Sequence, residues 1–391
     1  MKLWQKNYQL NKQVEDFTVA DDYIIDQKLV SYDCLSSIAH AKMLGKIGIL
    51  DKSEVEKIGI ILSEIIKLSK KGKSEIRRED EDCHTAIENY LTEKLGSTGK
   101  KIHTARSRND QVLTALRLYS LDQLSSLQKS IDQFVKQIKK FISNYGHIEL
   151  PGYTHTRKAM PTTIGIWASS FIESAKDNQF LLSSIKKLIN QSPLGTGAGY
   201  GIPLELDRAY TAKLLNFRKV QLNPIYAQMS RLKFESSILH LLTQISYDLN
   251  KLSSDLILFS MPEFGYFDLS DEICTGSSIM PHKKNPDLLE LLRANYHTLL
   301  SNEMEIKSIK SNLISGYHRD FQLSKKTLIN SFEISINCLA IATLVFSYLK
   351  VNKTNCKKAF DKETLATHKL YDQVKNGVPF RDAYNNISKM F

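Results

Sequence analysis

Residues 276–287 read GSSIMPHKKNPD, and they bring two adjacent serines, two lysines, an asparagine and two prolines into one short span. Pro281 and Pro286 forbid a regular helix through it, because each lacks an amide donor and its ring clashes with the preceding turn. Gly276 frees the backbone at its start. Taken singly, Ser277, Ser278, Lys283 and Lys284 are ordinary residues of an exposed basic loop. Taken together on a glycine-headed loop, they make a lid suited to an anionic substrate.

Outward from this loop, helical periodicity dominates. Leu124, Leu127, Ile131, Phe134, Ile138 and Phe141 recur at alternating steps of three and four, the spacing of one helix face. The span 110–145 contains neither glycine nor proline, which predicts a single long helix. Ile238, Leu242, Ile245, Leu249, Leu252, Leu256 and Phe259 repeat the pattern. Further long helices are predicted over 162–190, 288–313 and from near 321 to about 349. Five such seams predict the core of a central bundle. Residues 1–102 read as a smaller helical domain, with apolar-periodic stretches at 35–44 and 55–68. Residues 103–349 form the bundle, and 350–391 a short lysine-rich C-terminal domain of one or two helices. No alternating β pattern of useful length interrupts this, so the expected fold class is all-α in three parts.

Composition narrows the function. The 391 residues are 42% hydrophobic and 24% charged, with a formal charge of +11, ordinary for a globular chain large enough to bury a core. The basic residues are scattered, without a long run or interleaved aromatics, which argues against a nucleic-acid partner. A diffuse positive field also gathers an anionic small molecule. Cys34, Cys83, Cys274, Cys338 and Cys356 form no CxxC pair and are odd in number, as expected of free thiols in a reducing cytoplasm. The start, MKLWQKNYQLNKQVED, lacks the apolar core of a signal peptide. Polar residues interrupt every apolar run before membrane-spanning length, so no membrane partner is expected. Gly195, Gly197, Gly199 and Gly201 imitate a dinucleotide loop, but no strand precedes them. There is no HExxH and no Cys/His set of metal-ligand spacing, so neither metal nor cofactor is expected.

Three separated strings carry a resemblance, in one order along the chain. The 276–287 loop resembles the signature loop of the fumarase/aspartase superfamily, whose members form fumarate by β-elimination. His103-Thr104-Ala105-Arg106-Ser107-Arg108-Asn109-Asp110-Gln111 is similar to the segment marking argininosuccinate lyases within it. Pro151-Gly152-Tyr153-Thr154-His155 resembles that family's threonine–histidine motif. EDCHTAIENYL (81–91), SPLGTGAG (192–199) and VPFRDAY (378–384) are weaker echoes. All three strong strings are expected at helix starts, where free N–H groups and the positive end of the dipole favour carboxylates.

β-Elimination needs a base beside a carboxylate, donors for the charge that builds up there, and an acid for the leaving nitrogen. The resemblance implies Ser277 as the base, with Ser278 the neighbouring alternative and Lys283 stabilising the alkoxide. His155 is implied as the acid or as the group that positions it. Arg108, Asn109, Thr154 and Asn285 would hold the fumarate-forming half, arginine through its planar fork. Tyr317, Gln322 and Lys325 match the family's Y-x-x-x-x-Q-x-x-K contact to the amino-acid end. His84 and Glu88, at i and i+4, are either a salt-bridged pair or a direct part of the site.

The resemblance further implies an all-α homotetramer with active sites shared between subunits. It implies a lyase that splits argininosuccinate into fumarate and L-arginine, in arginine biosynthesis. The alternatives are another fumarate-releasing lyase of the superfamily, such as adenylosuccinate lyase, or a non-catalytic structural relative. Four departures bear on detail. Trp4 is followed by Gln5-Lys6-Asn7 where W-G-G-R-F is usual. Asp21-Asp22-Tyr23 stands where a substrate-binding serine is usual. Arg157 replaces a glutamine, and the chain stops soon after VPFRDAY, which would shorten the C-terminal domain.

Overall fold

The computed structural model of the chain describes residues 10–390; the Trp4 departure lies outside them. The fold is mostly helical, and five long helices dominate it: Arg108–Tyr145, Ile164–Ile189, Lys233–Phe259, Asp287–Ile309 and Ser324–Tyr348. Each begins or ends within a few residues of its periodic stretch. The predicted seam residues, from Leu124 to Phe141 and from Ile238 to Phe259, are all buried. Two compact units share these helices. One comprises the chain up to Ser126, Leu182–His240 and Ser301–Phe332; the other comprises Leu127–Leu181, Leu241–Leu300 and the chain from Glu333 onward.

The first unit opens with a helical pair. Asp51 caps Lys52–Lys70: its side chain accepts from the Glu54 amide at 2.9 Å, and Glu54 accepts from the Asp51 amide at 3.0 Å. This reciprocal box satisfies two of the amides that a helix start leaves unpaired. Ile58, Leu62 and Ile65 turn inward from that helix, and Val30–Lys46 packs beside it. A Cβ at Gly45 would meet Val55 Cγ2 at 2.7 Å, so the close approach of the two helices requires glycine there. Tyr119 packs edge-on against Tyr32 and Phe332.

One buried carboxylate ties this unit's loops together. Asp110 is fully buried. It accepts from the Ser107 amide at 3.0 Å and from the amides of Gly195 and Gly197 at 2.9 and 3.0 Å. The glycine-rich string thus serves as a carboxylate cradle. Gly195 and Gly197 have φ of 87° and 57°, a region that residues with a Cβ rarely adopt. Beside it, Gln191–Ser192 and Lys219–Val220 pair in parallel.

The second unit has an aromatic centre. Trp167 packs at a tilt against Phe267, centroids 4.9 Å apart, and donates to Asp255 at 2.9 Å, while Phe141 meets Phe346 at 5.3 Å. Phe267–Leu269 pairs antiparallel with Leu349–Val351. The lysine-rich tail forms three helices rather than one or two: Lys353–Lys358, Ala366–Lys375 and Phe380–Ser388. The last two close on Leu370, Ala383 and Ile387, and Gly377 at φ 89° makes the turn between them. The VPFRDAY echo is therefore a helix junction.

Two expectations need correction. Glu149–Thr154 and Arg157–Thr163 form an antiparallel hairpin with Pro151 opposite Pro161. Most of its residues are exposed or half-buried on both faces, so no period-two hydrophobic signal marked it. The stretch Arg319–Tyr348, with mean hydropathy 1.6 over its most apolar window, is long and apolar enough to cross a membrane. Half of that window is buried, and Leu328, Ile329, Phe332, Leu339, Ala342, Val345 and Phe346 are core residues.

Replacing Asp110 by alanine would orphan the buried amides of Gly195 and Gly197 and the half-buried amide of Ser107. We expect a loss of about 3–5 kcal/mol, read as a lower urea midpoint, with Asp110→Asn intermediate because its amide oxygen can still accept. An Asp110→Ala midpoint indistinguishable from wild type would refute the cradle's role.

Candidate active site

In the first unit, the start of Arg108–Tyr145 forms one wall of a cleft of about 290 Å³. Ser107 caps that start, its hydroxyl accepting from the Asn109 amide at 3.3 Å. The cap places Arg108 and Asn109 in the first helical turn, and both line the cleft with Val112 one turn on. Arg108 donates to Thr85 Oγ1 at 2.6 Å and to Glu81 at 3.3 Å, and stands 3.4 Å from Asp82. Its fork is therefore largely engaged by protein carboxylates.

The opposite wall is the 3₁₀ turn Arg319–Leu323 and the helix after it. That turn and the helix after it bring Tyr317, Gln322 and Lys325 to the same cleft. Gln322 donates to the Thr18 carbonyl at 2.9 Å, and Arg319 does so at 2.7 Å. Arg231 lies over the Tyr317 ring, 5.4 Å from its centroid, within cation–π range. Lys325 is buried between two carboxylates, 2.7 Å from Asp26 and 3.0 Å from Asp22.

Burial alone would lower the Lys325 pKa, but Asp26 and Asp22 outweigh it and push it up. Burial pushes the Asp22 carboxyl up to about 6, against the pull of Lys325, and the nearby Asp26 charge adds to the rise. Asp82 is held low: its burial is outweighed by His84 and Arg108. The cleft thus carries four cations, Arg108, Arg231, Arg319 and Lys325, and three acids, Asp22, Glu81 and Asp82. Such walls suit a small molecule bearing both carboxylate and cationic groups.

His84 departs from its expected place. It is 1% exposed and does not line the cleft. Its Nδ1 meets Asp33 at 3.1 Å, while Glu88 accepts from His103 at 2.9 Å. His84 and Glu88 share a face but each has another partner, because a buried imidazole is best satisfied by an equally buried carboxylate. Asp26, Cys83 and His84 bring ligand-type atoms within 4.8 Å of one another. Asp26 is already committed to Lys325 and to the Cys83 amide, so a metal there would meet the lysine ammonium. All five cysteines are free thiols.

In the second unit, the GSSIMPHKKNPD loop is closed at its neck. Thr275–Gly276 pairs antiparallel with Lys284–Asn285, and the Asn285 amide donates to the Gly276 carbonyl at 3.2 Å. Thr275 and Asp287 hydrogen-bond where the next helix begins. Ser278, Lys283 and most of the loop are exposed, while Ser277 is half-buried. Ser277 Oγ accepts from the Met280 amide at 3.1 Å and the Ile279 amide at 3.4 Å. This is a turn contact, and it also aims two N–H dipoles at the oxygen where alkoxide charge would form.

The threonine–histidine motif does not stand at a helix start. Thr154 ends the first hairpin strand, and His155 and Thr156 make the two-residue turn with φ of 51° and 57°. Two non-glycine residues held in the left-handed region imply local strain. The tip is exposed, with Arg157 the first residue of the return strand.

Of the predicted residues, the structure gathers Arg108, Asn109, Tyr317, Gln322 and Lys325 in one cleft. It carries Ser277, Ser278, Lys283 and Asn285 on a loop, and Thr154 and His155 on a hairpin tip. Asp22 was visible as part of the Asp21-Asp22-Tyr23 departure. Glu81 and Asp82 lay within the EDCH string without a role. Arg231, just before the φ 61° break at Leu232, had no signal in spacing or composition.

A family model described as lyase matches residues 4–297. Argininosuccinate lyase of Thermotoga neapolitana is 52% identical over 390 residues, covering 100% of this chain and 98% of that protein. EDDS lyase solved in complex with formate has a TM-score of 0.81 at 22% identity, covering 97% of this chain and 76% of its own. A class II fumarase from Schistosoma mansoni has a TM-score of 0.79 at 17% identity, covering 98% and 92%. These structural likenesses speak to the fold, which is the all-α fold of the superfamily, and the full-length identity speaks to the branch within it. The chain belongs to the argininosuccinate lyase family.

Proposed function

We propose that this enzyme splits argininosuccinate into fumarate and L-arginine. The observation that carries the reading is the full-length 52% identity to an argininosuccinate lyase, supported by a cleft lined by Arg108, Asn109, Tyr317, Gln322 and Lys325. Arginine biosynthesis in the cytoplasm is the setting this reaction suggests.

Ser277 takes the proton beside the carboxylate of the succinyl group. The C–H electron pair forms the fumarate double bond as the C–N bond breaks, and the guanidino nitrogen receives a proton from His155 or a group that His155 positions. A serine alkoxide is costly in itself. The amides of Ile279 and Met280 lower that cost, and Lys283 adds positive charge when the loop meets substrate. Ser278 is the alternative base. Thr154, Asn109 and Asn285 donate to the substrate carboxylates. Arg108, already engaged with Glu81, contributes field more than a free fork. Tyr317, Gln322 and Lys325 hold the amino-acid end.

The working assembly we infer is a homotetramer whose sites draw on more than one chain. The long helices carry exposed large apolar side chains, Ile166, Leu291, Met304, Ile341 and Leu344 among them. Apolar exposure on bundle helices fits a symmetric association of copies.

Fumarate absorbance should rise with argininosuccinate and not with adenylosuccinate or aspartate; release from adenylosuccinate alone would reject the reading. Ser277→Ala should retain its far-ultraviolet dichroism while turnover falls about 10²–10⁴-fold. Full activity in both Ser277→Ala and Ser278→Ala would reject this base. Subunit exchange between inactive Ser277→Ala and inactive His155→Asn proteins should restore partial activity, since some hybrid sites carry neither lesion. A protein that sediments as a monomer while fully active contradicts the shared site.

A further inference from the structure

The geometry points to Asp22 as a specificity-determining residue that binds the α-ammonium of the amino-acid end of the substrate. This rests on the elimination reading for the identity of the ligand and deepens it. The argument starts from a local excess of charge. Lys325 is one cation facing two carboxylates, Asp26 at 2.7 Å and Asp22 at 3.0 Å. Asp26 is fully buried and its second oxygen accepts from the Cys83 amide at 3.2 Å, so it is committed on both sides. Asp22 keeps 15% of its side chain exposed and lines the cleft.

The cleft's other acids are spoken for, since Glu81 and Asp82 both lie against Arg108. Among the described residues, Lys325 is the cation that Asp22 contacts. The carboxylate with charge to spare therefore stands on the wall of Tyr317, Gln322 and Lys325. A zwitterionic amino-acid end offers an ammonium beside a carboxylate. Asp22 complements the first, while the Gln322 amide and the Arg231 guanidinium are donors for the second.

A serine at this position would make a neutral hydrogen bond to the ammonium, whereas a carboxylate makes a charge-assisted one, shorter and stronger. It also discriminates. A ligand without the ammonium leaves Asp22 sharing Lys325 with Asp26 and without a cation of its own, and a site built to bond a polar group rejects the analogue that lacks it. Asp22, within the Asp21-Asp22-Tyr23 departure, thus has a consequence for selectivity.

The groups facing Asp22 are Lys325, Asp26, Asp82 and Arg231. With burial pushing it up to about 6, Asp22 is charged at pH 7.5 and mostly neutral at pH 5.5. Across that window the α-carboxylate of L-arginine stays ionised and its α-amino group can only become more protonated as pH falls, so a fall in affinity reports on Asp22.

The test is calorimetric binding of L-arginine and of 5-guanidinopentanoate, which lacks the α-amino group, to wild-type, Asp22→Ser and Asp22→Asn protein. Wild type should prefer L-arginine by about 10–100-fold, the size of a hydrogen bond to a charged group. Asp22→Ser and Asp22→Asn should lose most of that preference while binding of 5-guanidinopentanoate stays within about threefold, a margin well inside one such bond. Wild-type affinity for L-arginine should drop about fourfold from pH 7.5 to 5.5, following the charged fraction of a group titrating near 6, and the slope should vanish in Asp22→Ser. If the variants weaken both ligands equally, Asp22 only braces Lys325 and the inference fails. Equal binding of the two ligands by wild type also overturns it, even where argininosuccinate is split normally. Binding is read without turnover, so an L-arginine preference lost in Asp22→Ser sustains the inference even in a protein that releases no fumarate, and that second result sinks the elimination reading instead.

Discussion

A desolvated ammonium held between two carboxylates organises the cleft. Lys325 meets Asp26 and Asp22 across about three hundred residues of sequence. Removing a charge from water costs several kcal/mol, and only close opposite charges offset it. Deleting one member of such a buried group typically costs about 3–5 kcal/mol, because its partner is left uncompensated. The arrangement therefore pins the 22–26 segment to the start of Ser324–Tyr348. Through the bond from Asp26 to the Cys83 amide it also pins the EDCH string.

That string distributes charge in two directions. Glu81 and Asp82 face the cleft and hold Arg108, while His84 turns inward to Asp33. Burial would lower the His84 pKa, but Asp33, 3.1 Å away, outweighs it and raises it. Arg106 lies on the same side, 3.7 Å from Asp33 and donating to Ser37 at 3.0 Å. The motif 103–111 is divided in the same way. Arg106 and Asp110 are buried and structural, whereas Arg108 and Asn109 reach the cleft. A string that reads as one chemical signature is thus half scaffold: Arg106 precedes the helix, and in the helix's first turn Arg108 and Asn109 face the cleft while Asp110 and Gln111 turn inward.

The second unit presents its chemistry differently, on exposed turns. The GSSIMPHKKNPD loop is held at the neck by a two-residue ladder and carries Ser277 in a turn of its own amides. The hairpin tip holds His155 in a left-handed conformation that costs free energy without a glycine to relieve it. Exposed, conformationally costly turns are common where a group must meet a ligand.

The residues of the chain by themselves specify the five helices, their buried seams and the strings that carry the chemistry. Those are local properties: a 3.6-residue period, an absence of glycine and proline, and the donors that a given reaction needs. Tyr317, Gln322 and Lys325 were legible only through the resemblance, because as residue types on a turn and a helix they carry no chemistry of their own. The hairpin at 149–163 was not legible, since strands exposed on both faces show no alternation. Nor was the fate of His84, which depends on Asp33 fifty residues away, or the entry of Arg231 into the cleft. The commitment of Asp26 and the spare charge of Asp22 belong to the same class. Sequence by itself determines periodicity and chemical inventory. Only the tertiary structure decides which buried charge meets which, because pairing in a desolvated interior depends on distances of about 3–4 Å that no spacing along the chain encodes.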